Sequence, residues 1–292
     1  MKIARRSFPL ITPVTAVAAL ALAGLSLTAC SASPAAAPSV SSTACTPAHT
    51  FPTVEQGKLT VAADVSLPYV DVDEATGDLK GVDGLVLEEI AKLECLQVDN
   101  ATIHGSTAIG SVQQKQSDLA AGGWYWTAEH GKILNQTNPV YYDFTALTSA
   151  NGQYTTLDQL VGKTVGVTQG SLFVADLQKL LGASNVKQYE TLTQAMTDLR
   201  NKRIDAVIGG SGESGYQLKQ LGDASGLGLQ ALAADPRLAA TMEAGKVNFP
   251  HTQGNDELTK ALNDDIATLR GNGFVQKALN EYGLSSPANF QS

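Results

Sequence analysis

Two glycines followed by three aromatics, Gly122-Gly123-Trp124-Tyr125-Trp126, form the densest set of binding-type residues in the chain and contain both of its tryptophans. Paired glycines let a backbone approach another group closely, and neighbouring aromatics offer flat apolar faces with polar edges. That pattern suits a ligand held by stacking and hydrogen bonds. It equally suits a strand end whose aromatics fill a core. Thr127 follows as the expected N-cap of a short helix carrying His130. A second cluster, Gln169-Gly170-Ser171-Leu172-Phe173, precedes a helical pattern, where free backbone N–H groups favour an anionic or carbonyl oxygen. A third runs from Gly210 to Gly215 and holds Ser211 and Glu213. It is a formal G-x-G-x-x-G after a strand, and Asp235 falls about where a ribose-binding acid would stand in a dinucleotide fold. That strand comes late in its unit, so a flexible loop at a cleft edge is the expected reading. Asp118 and Asp205 each open an apolar strand. They could pair as catalytic carboxylates, but local capping or turn formation is expected.

Other chemistries find little support. There is no G-x-S-x-G, no paired Cys–His nucleophile and no phosphate-cradling loop. His49, His104, His130 and His251 show no metal-ligand spacing, so no metal and no cofactor are expected. The formal charge of −8 argues against nucleic acid as a partner.

The elements that must position these residues begin after an export segment. Lys2, Arg5 and Arg6 precede an apolar run from about Val14 to Leu27, too short for a membrane-spanning helix. The run ends at Leu27-Thr28-Ala29-Cys30, which resembles a bacterial lipobox, with Cys30 as the lipid-bearing first mature residue. Residues 1–29 are then a lipoprotein signal peptide and 30–44, rich in Ser, Ala and Pro, a flexible tether. Removing the three basic residues takes the formal charge from −8 to −11, so anchoring rests on the lipid. The expected location is the outer face of the cell membrane. In that oxidising compartment Cys45 and Cys95 are expected to form a disulfide.

From Gly57 the pattern is α/β. A strand at 58–63 precedes a helical face of Val86, Ile90 and Leu93, a strand near 98–104, and a short helix around Ala108, Ile109 and Val112. From Gly162 the same order returns, with helical faces at Val174, Leu177, Leu181 and at Leu192, Ala195, Met196, Leu199, then a strand at 203–208. Asn255 caps the clearest helix, marked by Leu258, Leu262, Ile266 and Leu269; a second carries Phe274 to Tyr282 and closes at Gly283. Alternating strands and helices imply mainly parallel sheets in two lobes.

In this order the motifs resemble those of bacterial extracellular solute-binding proteins of family 3, the polar amino-acid type that serves ABC importers. Gly57–Asp64 is similar to that family's first strand, Gly77–Asp83 to its turn into the first helix, and Ser117–His130 to its "D…T-x-E-R" segment. Pro139–Tyr142 resembles the strand leading to the hinge, Leu157–Gly170 the start of the second lobe, and Phe274–Leu284 the closing helix. The resemblance implies a type II periplasmic-binding fold: lobe 1 from 45–147 plus 248–292, lobe 2 from 148–247, and hinge strands near Thr145–Gln153 and Lys246–His251. It implies a monomer that captures a small polar solute, closes, and docks on a membrane permease without chemistry. Dehydratases and sensor domains on the same fold are the alternative. Asp64, Gly122–Thr127, His130, Gln169–Phe173, Gly210, Ser211 and Glu213 would face the solute. Two positions depart from the family: His130 stands where an Arg grips the ligand carboxylate, and Gly210 where an Asp takes its ammonium.

Overall fold

The computed structural model of the protein describes residues 45–291; the signal segment, Cys30 and the tether to residue 44 lie outside the described residues. The chain forms β1 (Lys58–Ala63), a flap of β2 (Asp71–Val72) and β3 (Leu79–Lys80), α1 (Gly81–Leu93), β4 (Gln97–Thr102), α2 (Ser106–Gln113) and β5 (Leu119–Ala121). After β6 (Asn135–Gln136) and β7 (Tyr141–Asp143) come β8 (Thr145–Ala150), β9 (Val165–Thr168), α3 (Val174–Leu181), β10 (Val186–Tyr189), α4 (Leu192–Arg200), β11 (Ala206–Gly210), α5 (Ser211–Leu221) and β12 (Leu227–Ala231). It finishes with β13 (Gly245–Val247), β14 (Pro250–His251), α6 (Asp256–Gly271) and α7 (Phe274–Glu281). Among the described residues no helix is long and apolar enough to cross a membrane.

These strands make two five-stranded sheets, ordered β4-β1-β5-β14-β6 and β10-β9-β11-β8-β12. In each, three strands are parallel, β1 with β4 and β5 and β9 with β10 and β11, and antiparallel strands complete the far edge. The internal repeat extends to single atoms. Asp118 Oδ2 accepts the Thr60 N–H at 2.8 Å, and Asp205 Oδ2 accepts the Thr164 N–H at 2.8 Å. Each aspartate therefore pins the start of a lobe's third strand to the start of its first. They are cross-strand clamps, neither a catalytic pair nor helix caps; Asp118 also takes the Thr60 hydroxyl and the Val54 N–H.

Burial explains the rest of the order. Val86 and Ile90 of α1, Leu258, Leu262 and Ile266 of α6, and Val275 and Leu279 of α7 share one core with Leu59 and Val61 of β1, so the C-terminal helices belong to the first lobe. In the second lobe, strand alternation puts Ala206 and Ile208 on the α3 face and Val207 on the α4 face. Asn255 does cap α6, accepting the Leu258 N–H at 3.1 Å, and Gly283 follows α7 with a φ of +89°.

The chain passes between the sheets through an antiparallel ribbon, β7 against β13, with Asp143 opposite Gly245 and Tyr141 opposite Val247. The first crossing strand is thus Tyr141–Asp143, upstream of the Thr145–Gln153 expected from sequence. β8 pairs wholly inside the second sheet, three residues before the expected boundary at 147/148. The stretch 140–147, mostly apolar and aromatic around Asp143, gives no periodic signal for where it changes sheets.

An N-terminal strap, residues 45–56, lies across the first lobe without regular structure. The disulfide Cys45–Cys95, with a Cα–Cα distance of 5.8 Å, staples its start to the end of α1. Ala48 N–H donates to Leu93 O, Val54 N–H to Asp118, and the Asn255 amide to Pro52 O.

Candidate functional site

The residues expected at the site fall into three groups. Asp64, Gly122, Gly123, Trp124, Tyr125, Thr127 and His130 surround a cavity of about 360 Å³ on the first lobe. Tyr125, Trp126, Thr127, Leu172, Phe173 and Gly210 line an adjoining cavity of about 410 Å³ between the lobes. Tyr125 and Thr127 border both. Gln169, Gly170, Ser171, Ser211 and Glu213 line neither.

The first cavity is built by the end of β5. Gly122 and Gly123 take φ of +141° and +71°. A side chain on Gly123 would meet the Tyr69 ring at 2.7 Å. The close approach expected of these glycines is therefore to the protein itself. Their N–H groups are also spent, donating to Asp83 Oδ2 at 3.1 and 2.8 Å, while Tyr141 O–H donates to Asp83 Oδ1 at 2.7 Å. Burial raises the Asp83 pKa, and these three donors oppose the rise. Beyond the glycines the chain runs beside β13: Trp126 N–H donates to Lys246 O, and Asn248 N–H to Trp124 O. The aromatics are therefore fixed by backbone to the hinge ribbon. Trp126 is 48% exposed and Tyr125 39%, so neither is core filling.

Trp124 packs edge-on against His130, ring centres 5.9 Å apart, and both Trp124 Nε1 and His130 Nδ1 are buried without a partner among the described residues. Thr127 accepts the His130 N–H at 3.0 Å, but it does not cap a helix: the single 3-10 turn that follows, His130–Lys132, has Glu129 at its N-cap and no side-chain cap bond. Asp64 carries a carboxylate in the same cavity, with His104 Nδ1 at 3.8 Å.

On the second lobe, Ser171 does not head the helix: α3 begins at Val174, and Ser171 N–H is taken by Thr168 O. Leu172 and Phe173 reach the inter-lobe cavity instead. Gly210 to Gly215 is no loop. Gly210 ends β11, and Ser211 to Gly215 open α5, with Ser211, Gly212, Ser214 and Gly215 buried. A side chain on Gly212 would meet Tyr69 Oη at 2.6 Å and one on Gly215 would meet Gly283 O at 2.4 Å. The glycine pattern therefore serves contact between the lobes and leaves no room for a pyrophosphate.

Sequence reasoning missed the residue at the junction. Asp143, 4% exposed at the end of β7, accepts Tyr69 O–H (2.6 Å) and Tyr125 O–H (2.9 Å) on Oδ2, and Ser211 O–H (2.7 Å) and Gly212 N–H (3.1 Å) on Oδ1. One carboxylate thus joins first lobe, ribbon and second lobe. Burial and this carboxylate drive the Tyr69 and Tyr125 phenols well above their ordinary pKa and keep them as donors. Ser211 also accepts the Phe144 N–H and the Asn289 amide, so its hydroxyl is structural. Glu213 is exposed as a residue, yet partial burial of its carboxyl, and then the Asp143 charge, raise its pKa. Ala240, Glu243 and Ala244, just before the second crossing strand β13, and Gly245 and Lys246 at its start also line the inter-lobe cavity, which was not foreseen. Glu243 makes no ion pair among the described residues.

What this arrangement can do is hold a small molecule between two hinged lobes; the carboxylates within it are spent on hydrogen bonds, or stand apart from any activated nucleophile. Comparison with known proteins agrees. The chain is 24% identical over 240 residues to the ABC transporter arginine-binding protein 1 of Escherichia coli (strain K12), covering 80% of this chain and 93% of that one. It is 25% identical over 232 residues to the L-cystine-binding protein TcyJ of the same strain, covering 78% and 82%. The crystal structure of a polar amino acid ABC uptake transporter substrate-binding protein from Streptococcus thermophilus superposes with a TM-score of 0.66 at 22% identity, covering 79% of this chain and 87% of that one. The family model of bacterial extracellular solute-binding proteins, family 3, matches residues 59–285, and with that match over most of its length the chain belongs to this family of binding proteins.

Proposed function

We propose that the protein is the lipid-anchored, extracytoplasmic receptor of an ABC importer for a neutral or cationic amino-acid-like solute. The observation that carries the solute class is the lining of the cleft. Tyr125, Trp126, Phe144 and Phe173 supply aromatic surface, Asp64, Asp143 and Glu243 supply carboxylates, and Lys246 is the one lysine in the two linings, which hold no arginine. Aromatic faces and an excess of carboxylates over cationic side chains favour cations and flat neutral groups and disfavour anions. With His130 and Gly210 in place of the family's charged anchors, the grip on a ligand carboxylate is weak. The arginine- and cystine-binding names of relatives support an amino-acid-like ligand. Anchoring through Cys30 rests on the lipobox, and mass spectrometry of membrane-extracted protein tests it by the presence of a diacylglyceryl group.

A thermal-shift screen over cationic, neutral and dicarboxylic amino acids and simple amines tests the solute class. Cationic or neutral compounds should raise the melting temperature. Trp126→Ala and Phe173→Ala should then each cost about tenfold to a hundredfold in affinity. A dicarboxylate as the tightest ligand, or indifference to both replacements, would refute this reading of the cleft.

A further inference from the structure

On the far side of the first lobe, three residues that the sequence keeps well apart converge beneath the strap. His49 lies on the strap, Glu94 at the end of α1 and Asp265 inside α6. One donor atom from each lies within 4.8 Å of the other two. Glu94 and Asp265 are both 3% exposed. Glu94 holds the His49 backbone N–H at 2.9 Å and faces Nδ1 at 2.5 Å, and His49 Nε2 stands 3.2 Å from Asp264. Asp265 Oδ2 is buried in the same place with no hydrogen-bond partner among the described residues.

We propose that His49, Glu94 and Asp265 form a divalent-cation site that fastens the N-terminal strap to α1 and α6. The charges ask for a cation. Three carboxylates, those of Glu94, Asp264 and Asp265, surround one imidazole, and the lysine at hand, Lys260, is already paired with Asp264. Two carboxylates buried side by side repel, and an unpartnered buried carboxylate oxygen is costly. A bound ion relieves both. The donor set of one imidazole nitrogen and two carboxylate oxygens suits a zinc-type ion; calcium and magnesium prefer oxygen-only shells. Ligand atoms about 2.0–2.2 Å from one ion stand up to about 4 Å apart, so small side-chain rotations bring these three into range. His49 remains partly open to solvent, leaving water to complete the shell. The four histidines showed no ligand spacing because the site takes one histidine from the strap and draws its carboxylates from the end of α1 and from α6.

The test uses the full chain, stripped by a chelator and kept in non-reducing buffer because Cys95 adjoins Glu94. Equilibrium dialysis against Zn²⁺ should give one ion per chain. At a free concentration about 100 times the Kd, melting should rise by about 5–10 °C, with no rise in Mg²⁺. Asp265→Asn keeps the shape and removes a ligand charge; it should weaken binding at least tenfold. His49→Ala, on the half-exposed strap, should do the same and serves if the first variant folds poorly. No stoichiometric ion in the wild type, or equal Zn²⁺ affinity in wild type and either folded variant, overturns the proposal.

Discussion

Replacing Asp143 separates the geometry of the inter-lobe junction from its charge. In Asp143→Ala four donors lose their acceptor. Tyr125 borders both open cavities, where water can reach its phenol at little cost. Tyr69, Ser211 and the Gly212 N–H are buried and have no such exit. At about 1–3 kcal/mol for each unsatisfied buried donor, reduced where water enters the vacated space, the loss is about 3–5 kcal/mol. Asp143→Asn behaves differently. The Gly212 N–H cannot accept, so the new amide oxygen must stay on the Ser211–Gly212 side and the NH₂ must face the two phenols. Phenol oxygens can accept, so two of the four bonds survive and two reverse, for a loss of about 1–2 kcal/mol. Urea unfolding followed by circular dichroism measures both variants, and an unchanged m-value shows that the same transition is read. An Ala variant within about 1 kcal/mol of wild type, or an Asn variant as damaged as Ala, refutes the hydrogen-bond account.

Three further outcomes follow from named contacts. Gly215→Ala places a methyl 2.4 Å from Gly283 O, backbone against backbone across the lobes, and should cost about 1–3 kcal/mol by the same unfolding assay. Reducing Cys45–Cys95 frees a 50-residue loop and should lower stability by about 3–4 kcal/mol in the chain-entropy model, seen as a lower urea midpoint with thiol reagent. His251 is fully buried; Nδ1–H donates to Phe249 O and Nε2 accepts from Thr259, and burial lowers its pKa. Below the unfolded-state value of about 6.5 the unfolded chain gains a proton that the native ring refuses. Stability should therefore fall as pH drops from about 6.5 toward the depressed native value, and His251→Gln should flatten that part of the profile if it folds.

The repeat of strands and helices was legible because burial imposes periodicity: Leu258, Leu262, Ile266 and Leu269 announce α6, and Asn255 its start. The Trp124–His130 segment was legible by residue type. Asp143 and Asp83 were not. Their partners, Tyr69 and Tyr141, lie 74 and 58 residues away, and a hydrogen bond between distant side chains leaves no periodic trace. The glycines misled for a related reason. Gly122, Gly123, Gly212 and Gly215 do mark close approach, but what approaches is Asp64, Tyr69 and Gly283 of the same chain, and composition does not say which neighbour a bare Cα admits.

The stapled strap also sets how the molecule carries force. The strap and the C-terminal helices both belong to the first lobe, and the second hangs from it by the β7–β13 ribbon alone as covalent path. Tension applied through residues before Cys45 enters at the disulfide and passes directly to the end of α1. The bridge locks away a 50-residue span, on the order of 170 Å of contour, that such a pull could otherwise draw out. None of that load crosses the ribbon. The second lobe can then swing as an unloaded arm, at the same angle and the same energy, whether the first lobe hangs slack or is held taut.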